Sequence, residues 1–159
     1  MDYQPGHPHG FCSAIWMGEV ALCVPLSDPR GAVAGLKAMT DPYPEKLSDA
    51  LIRRFQFETL FSIDNGRTAV ARGEQNYIAG CAFRSLCCAA QVIFALNRRY
   101  LINEKGSIEA AGRLPMTVDN LRERAANVWR AVGLGAFDAA LAELASMERE
   151  LARLTERPR

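Results

Sequence analysis

The sequence predicts a mainly α-helical protein: a bundle of about five helices with one or two residual β-strands near the N-terminus. Three observations favour this fold class. Apolar residues recur at helical spacing through most of the chain after residue 44. Residues 77–96 are apolar and rich in small side chains, which is typical of a helix buried inside a bundle. Residues 11–26 form a short apolar, partly β-branched run, which is typical of strands.

The composition bounds the class of protein further. The chain has 159 residues, of which 49% are hydrophobic and 23% charged, so it can bury the core of one domain with at most a small appendage. A formal net charge of +1 gives no reason to expect nucleic-acid binding by bulk attraction. We expect two parts: residues 1–40, with an arm, a strand or hairpin and one helix, and a helical bundle over residues 41–159.

The cysteines and the apolar segments indicate the cellular compartment of the protein. Five cysteines, an odd number with no C-x-x-C spacing, are typical of reduced thiols packed in a core. The N-terminus lacks the basic and apolar regions of a signal peptide, and no stretch reaches the ~18 uninterrupted apolar residues needed to span a bilayer. The sequence therefore predicts a cytoplasmic protein without a membrane partner.

The first 26 residues contain an arm and the predicted strands. Residues 1–10 hold two prolines, two glycines and both histidines, which favours an irregular arm. His7 and His9 are weak candidates for metal ligands, because a third ligand at suitable spacing is not evident, and incidental loop histidines are the favoured interpretation. In residues 11–26, Gly18 marks the turn of a possible hairpin.

Capping and breaking residues set the bounds of the first two predicted helices. Asp28 can cap a helix that starts at Pro29 and runs to about Met39. The DPYP sequence at 41–44 then breaks the chain, because residues before proline resist helical angles. A second helix is expected from near Pro44 toward Ala71.

The remaining helices follow in order. Residues 74–101 are predicted as the central helix, and residues 103–107 as a turn. A short helix is expected over 108–113, a further one from a cap at Thr117 to about Val132, and an amphipathic last helix over 136–155.

A dense polar cluster ends the predicted central helix. Amide, phenol, carboxylate and ammonium groups brought to one helix end could bind a substrate, with the lysine suited to phosphate. The same residues could instead be structural, with the first asparagine capping carbonyls and the basic side chains complementing the negative end of the helix dipole. The cluster consists of Asn97, Arg98, Arg99, Tyr100, Asn103, Glu104 and Lys105.

A second polar feature lies inside the apolar helix. Arg84 needs a partner, because a charge among apolar residues is costly unless it is paired. Glu58 on the preceding helix is the natural partner. We therefore expect Arg84 and Glu58 to form a structural polar pair.

Several motifs together resemble those of bacterial proteins in the nucleotidyltransferase superfamily that carry a C-terminal helical domain. The motifs are GHPHGF, MGEVALCVPLSDPRG, PYPEKL, ARGEQNYIAGCAFRSL and FALNRRYLINEKGSIEAAGRLP, which together span roughly residues 5–115. The resemblance implies that a turn at residues 27–31 closes a catalytic sheet, of which residues 1–40 would be the remnant. It also implies that an F-x-L-N-x-x-Y-x-x-x-E-K segment faces a nucleotide cleft. The residues that it assigns to nucleotide or substrate binding are Asn97, Tyr100, Glu104 and Lys105.

The chain departs from this family at the catalytic residues. The family uses a G-S motif followed by a D-x-D pair, whose carboxylates hold the magnesium ions that bridge the triphosphate. No such run occurs in this sequence. The resemblance therefore implies a C-terminal part of such a protein, inactive alone. It implies no cofactor for this chain by itself, with magnesium and ATP or GTP only where a full-length catalytic core exists.

Two functions remain open from the sequence. The first is a nucleotidyltransferase-like fragment that keeps part of a cleft for a nucleotide or a small-molecule acceptor. The alternative is a non-catalytic helical interaction module that forms a homodimer, or pairs with a partner, through an exposed strand edge or its last helix. Whether the protein is an enzyme is left undecided by the sequence.

Overall fold

The computed structural model describes residues 14–156, and within this range the chain forms seven α-helices and no β-strand. The mainly α-helical class is thus confirmed. A single 3₁₀ turn at Val70–Arg72 follows the third helix. The helices are α1 (Ala14–Leu22), α2 (Ala32–Ala38), α3 (Glu45–Ala69), α4 (Gln75–Leu96), α5 (Ser107–Ala111), α6 (Leu121–Gly133) and α7 (Phe137–Thr155).

An antiparallel pair of long helices, α3 and α4, forms the centre of the bundle. The chain reverses between them at Gly73, whose φ of 64° is a left-handed conformation that suits glycine. Near the other end of the pair, the Ser48 hydroxyl donates a hydrogen bond of 2.9 Å to the Ala95 carbonyl. Helix α7 packs against both α3 and α4, and α6 packs mainly against α7.

Helix α4 is buried along most of its length, as the small residues in its sequence predict. Its alanines at 82, 90 and 95 are fully buried, which lets neighbouring helices approach closely. By length and composition α4 could cross a membrane, but 78% of its most apolar window is buried inside this bundle. The buried central helix of a bundle can be as long and as apolar as a membrane-spanning helix.

The predicted N-terminal strands are wrong for the part of residues 11–26 that the structure describes. Residues 14–22 form helix α1, and residues 23–26 have no regular structure. Gly18 lies inside this helix, where an added Cβ would come within 2.6 Å of Ile102 and 3.2 Å of Tyr100. The glycine therefore permits a close crossing of α1 over residues 100–102, and it does not mark a turn.

Helix α1 is attached to α2 through a lysine. The ammonium of Lys37 donates to the carbonyls of Val20, Ala21 and Cys23 at 3.2, 2.7 and 2.9 Å. These carbonyls lie at the end of α1, where no intrahelical donors remain. A cation at this end also opposes the helix dipole, so the contact stabilises the α1–α2 pair.

Several helix ends differ from the sequence prediction by more than one residue. Helix α2 begins at Ala32 and not at Pro29, although the Asp28 carboxylate still accepts a hydrogen bond of 2.8 Å from the Ala34 amide. Helix α6 begins at Leu121, after Asn120 adopts a left-handed φ of 53°. Helix α4 ends at Leu96, five residues before the predicted position at 101.

Three of the four cysteines in the described range pack as buried free thiols, as expected. Cys81, Cys87 and Cys88 are buried, whereas Cys23 is exposed. Burial raises the pKa of the Cys87 thiol to about 12, and burial also raises the pKa of Cys81 and Cys88. These thiols stay protonated near neutral pH and are poor nucleophiles.

Replacing Glu148 on α7 by glutamine should stabilise the protein at neutral pH. Partial burial raises the pKa of this carboxyl above its ordinary value of 4.5, so the carboxyl is protonated more readily in the folded than in the unfolded state. The contribution of Glu148 to stability is therefore greatest below pH 4.5 and is lost as the pH rises through the folded-state pKa. We expect Glu148→Gln to raise Tm by about 1–3 °C at pH 7.5, with a gain that shrinks toward pH 4.

Thermal unfolding at several pH values measures this effect. Glu19→Gln, which removes an exposed carboxylate from α1, is the matched control and should change Tm little at any pH. A gain from Glu148→Gln that is equal at pH 4 and pH 7.5 would contradict the assignment of the cost to a partly buried charge.

Candidate functional site

A cleft of about 360 Å³ opens where α4 ends, and we call it the α4 cleft. It is built from the end of α1, the 40–43 segment, the end of α4 with the turn that follows, and the α5 region. Its walls combine aromatic rings with two arginines. The residues that line it are Leu22, Thr40, Asp41, Tyr43, Phe94, Arg98, Arg99, Tyr100, Ala110 and Leu114.

The turn that ends α4 places the two arginines at this cleft. The Arg99 amide donates to the Phe94 carbonyl at 2.9 Å, and the Arg98 amide donates to the Ala95 carbonyl at 3.1 Å. Together with the φ of 53° at Arg98, these two bonds define a Schellman motif. The left-handed position of this motif is usually occupied by glycine, because a side chain there costs about 1–2 kcal/mol. Arginine at this position favours a role for its side chain.

Two tyrosines form one wall of the α4 cleft. The rings of Tyr43 and Tyr100 have centroids 4.6 Å apart and an interplanar angle of 42°. The Tyr100 hydroxyl donates a hydrogen bond of 2.8 Å to the Thr40 carbonyl, which fixes the orientation of the ring. The wall therefore presents ordered aromatic surface to the cleft, suited to stacking against a planar group.

The charge of the lining favours an anion. Arg98 is 3.6 Å from the Glu45 carboxylate, a long and exposed ion pair of small energetic value. Arg99 is exposed and takes part in none of the ion pairs found within residues 14–156. Asp41 is the one carboxylate in the lining. Within the lining itself, two guanidinium groups and one carboxylate leave an excess of one positive charge, which the exposed Glu45 beside Arg98 offsets only weakly.

Of the two roles that the sequence left open for Asn97, ligand binding or helix capping, the structure shows capping. Its amide nitrogen donates to the carbonyls of Ile93 at 2.7 Å and Met116 at 2.8 Å, and its amide oxygen accepts from the Met116 amide at 3.0 Å. The side chain thus caps α4 and joins it to the loop before α6. Both ends of the amide already have partners in the protein.

Glu104 and Lys105, the last two residues assigned by the resemblance, do not line the α4 cleft. Glu104 is half-buried, and its charge is close enough to Cys87 to reinforce the rise in the pKa of that thiol, of which burial is the main cause. Lys105 is exposed, and its backbone amide donates to the Asn103 side chain at 2.9 Å. Of the four predicted binding residues, Tyr100 alone lines the cleft.

The expected polar pair between α3 and α4 is present. The Arg84 guanidinium forms an ion pair with the Glu58 carboxylate, and Arg54 binds the other carboxylate oxygen at 2.9 Å. Glu58 is 4% exposed, so its charge is held almost entirely by these two arginines. The pair lies on the flank of the α3–α4 hairpin, away from the α4 cleft.

The sequence offers only weak candidates for metal ligands, and the structure does not test them. His7 and His9 lie outside the described range, and within residues 14–156 no group of three or more His, Cys, Asp or Glu side chains could hold a metal ion. The magnesium ions implied by the resemblance would need paired carboxylates. Because the lining of the α4 cleft supplies Asp41 as its one carboxylate, its residues do not fit such a centre.

Sequence reasoning missed the residues that approach the cleft from the other side. Tyr43 and Thr40 meet Tyr100 only in the folded chain, 60 residues apart in the case of Thr40. The available signal was an aromatic residue between two prolines in the DPYP break. An aromatic side chain there packs against another element more readily than it remains in solvent.

Replacing Asn97 by alanine should destabilise the protein by about 2–3 kcal/mol. The change removes three hydrogen bonds and leaves the Met116 amide and carbonyl without their partner. Urea unfolding followed by circular dichroism measures the loss. Asn103→Ala, in the exposed turn, is the control and should cost less than about 1 kcal/mol. Equal losses in the two variants would contradict the role of the Asn97 side chain in joining α4 to the loop before α6.

No protein-family model, curated protein or solved structure matches this chain. The described structure defines a helical bundle with a cationic, aromatic cleft at one end of its central helix.

Proposed function

We propose that the α4 cleft binds the phosphate end of a nucleotide or a related small anion, and that the chain is nucleotidyltransferase-like without catalysing transfer alone. The observation that carries this proposal is the arginine held at the left-handed position of the Schellman motif, beside the Tyr43–Tyr100 wall. The sequence resemblance supports the choice of a nucleotide among small anions.

Each part of the cleft has a chemical counterpart in such a ligand. The guanidinium groups of Arg98 and Arg99 can each form two parallel hydrogen bonds with phosphate oxygens. The rings of Tyr43 and Tyr100 offer a face against which a base can stack. A volume of about 360 Å³ falls within the range of known small-molecule sites.

The same lining argues against transfer by this chain alone. Nucleotidyl transfer depends on positioned metal ions that neutralise charge on the triphosphate, and these are held by paired carboxylates. Asp41 is the one carboxylate in the lining. We therefore propose binding, and turnover only where another polypeptide or a preceding domain supplies the acidic residues.

Calorimetric titration with ATP and with GTP in the presence of EDTA tests the proposal. We expect a Kd in the millimolar range or tighter for at least one nucleotide, weakened about tenfold by Arg99→Gln or Tyr100→Ala. Lys105→Ala is the matched control, because Lys105 is a nearby exposed cation outside the cleft, and it should leave the affinity within about twofold. Absence of binding at millimolar nucleotide would overturn the proposal.

Substituting Arg98 by glycine should separate stability from binding. Glycine removes the strain of the left-handed φ of 53°, so the free energy of unfolding should rise by about 1 kcal/mol. The same change removes a guanidinium from the cleft and should weaken ATP binding several-fold. Urea unfolding and calorimetry on one sample measure both effects. A variant that binds ATP as tightly as the parent would show that the Arg98 side chain is not used.

The alternative function, a helical interaction module, is supported by a surface on α3 and not by the strand edge or the last helix that the sequence suggested. Because residues 14–22 are helical, the exposed strand edge is lost as a pairing surface within the described chain. On α3, however, the rings of Phe57 and Phe61 stack at 5.7 Å and are 59% and 43% exposed. Light scattering at rising concentration tests a homodimer through this face. A strictly monomeric protein would exclude it.

A further inference from the structure

A second pocket lies about 25 Å from the α4 cleft along the axis of α4, and we call it the Arg84 pocket. It has a volume of about 280 Å³ and lies between α3 and α4, toward the start of α4. It shares no residue with the α4 cleft. The residues that line it are Ser62, Asn65, Asn76, Tyr77, Gly80, Cys81 and Arg84.

The lining of the Arg84 pocket is rich in hydrogen-bond donors and contains no carboxylate. Arg84 contributes a guanidinium, Asn65 and Asn76 contribute amides, and Tyr77 contributes a phenol. One donor has no acceptor: Arg84 Nε is buried without a hydrogen-bond partner in the described structure. A buried donor left without a partner is unfavourable for the folded state. The Arg84 side chain as a whole is 26% exposed, so other parts of it border the pocket.

The charge beside the pocket also favours an anion. Glu58 is shared between two guanidinium groups, with Arg54 at 2.9 Å and Arg84 on the other oxygen. One carboxylate between two arginines leaves one positive charge without a counterpart in this cluster. Arg84 is the arginine that extends from the cluster into the pocket lining.

Gly80 keeps one wall of the Arg84 pocket open. An added Cβ there would meet no heavy atom within 4 Å, so the position borders open space. Glycine is less favourable than alanine inside a helix, and crowding does not require it here. Its effect on the pocket is to leave room beside Arg84.

We propose that the Arg84 pocket binds a small molecule with an oxyanion group, a carboxylate or a phosphate. The oxyanion accepts hydrogen bonds from the Arg84 guanidinium and offsets the surplus positive charge of the cluster. Asn65, Asn76 and Tyr77 bind the polar body of the ligand. This proposal does not depend on nucleotide binding at the α4 cleft.

Titrations of ¹⁵N-labelled protein with sodium phosphate and with sodium acetate test the proposal, with sodium chloride at the same ionic strength as the reference. For at least one of the two anions we expect saturable shifts at the Gly80 amide and the Arg84 Nε–H. The anion whose shifts saturate shows whether the pocket prefers a phosphate or a carboxylate. Shifts that never saturate, or that chloride reproduces, would overturn the proposal.

Two variants locate the site. Gly80→Leu fills the pocket and should weaken binding by about tenfold or more, whereas Gly80→Ala should stay within about twofold of the parent. The double variant Glu58→Gln with Arg84→Gln removes the Arg84 guanidinium together with its bound carboxylate, leaves the Arg54 charge in place, and should abolish binding because the ligand loses its charged donor. It tests the site even if Gly80→Leu fails to fold. Arg99→Gln, in the α4 cleft, should leave these shifts unchanged. Unaltered anion affinity in both the Gly80→Leu protein and the double variant would contradict the site.

Discussion

Replacing Glu58 by alanine should lower the free energy of unfolding by about 2–4 kcal/mol. The carboxylate is 4% exposed and is bound by Arg54 and Arg84. Without it, the Arg84 guanidinium would stay largely buried beside a void with no negative partner. The expected loss is somewhat below that of a fully buried pair, because the Arg84 side chain is 26% exposed. Urea unfolding followed by circular dichroism measures the difference.

The double variant Glu58→Met with Arg84→Met is the control for this effect. Replacing both partners by apolar side chains leaves no unpaired charge, and such replacements are often neutral or stabilising. We expect the double variant to be markedly more stable than Glu58→Ala. A double variant as unstable as the single one would show that the ion pair is not the origin of the loss.

Replacing Phe55 by alanine should cost about 3–5 kcal/mol. Phe55 is fully buried in the core and is among its largest side chains. Alanine would leave a cavity that the rigid α3–α4 hairpin could close only in part. At this loss, much of the stability expected for a domain of this size would be gone.

Phe57→Ala is the matched control, two residues further along the same helix. Its ring is 59% exposed and contacts Phe61 on the helix surface, so the change should cost less than about 1 kcal/mol. Both losses are measured by urea unfolding at 25 °C. Similar values for the two variants would contradict the placement of the core.

The long helices could be predicted because their patterns are long and regular. Helix α3 shows a sustained apolar stripe that ends at Gly73, and the small residues of α4 mark it as the buried helix. Residues 11–26 offered only a short apolar run, which periodicity alone cannot assign to a strand or a buried helix. In the structure residues 14–22 form a helix whose Gly18 lies close to residues 100–102, a tertiary contact that no local pattern reports.

The parts of the candidate sites that lie on helices consecutive in the sequence could be predicted. The parts that distant segments contribute could not. The pairing of Arg84 with Glu58 followed from two adjacent helices and a charge in need of a partner. The α4 cleft needed the approach of Tyr43 and Thr40, which comes from tertiary packing. The end of α4 was also missed, because arginine is an uncommon residue at the left-handed position of a Schellman motif.

A map of ATP-induced amide shifts on ¹⁵N-labelled protein tests most directly whether the α4 cleft is the nucleotide site. Binding at the α4 cleft predicts saturable shifts in residues 40–43, 94–100 and 110–114 with ATP, and much weaker effects with adenosine, which lacks the phosphates. Shifts that are absent at millimolar ATP, that lie outside these residues, or that adenosine reproduces in full would contradict it.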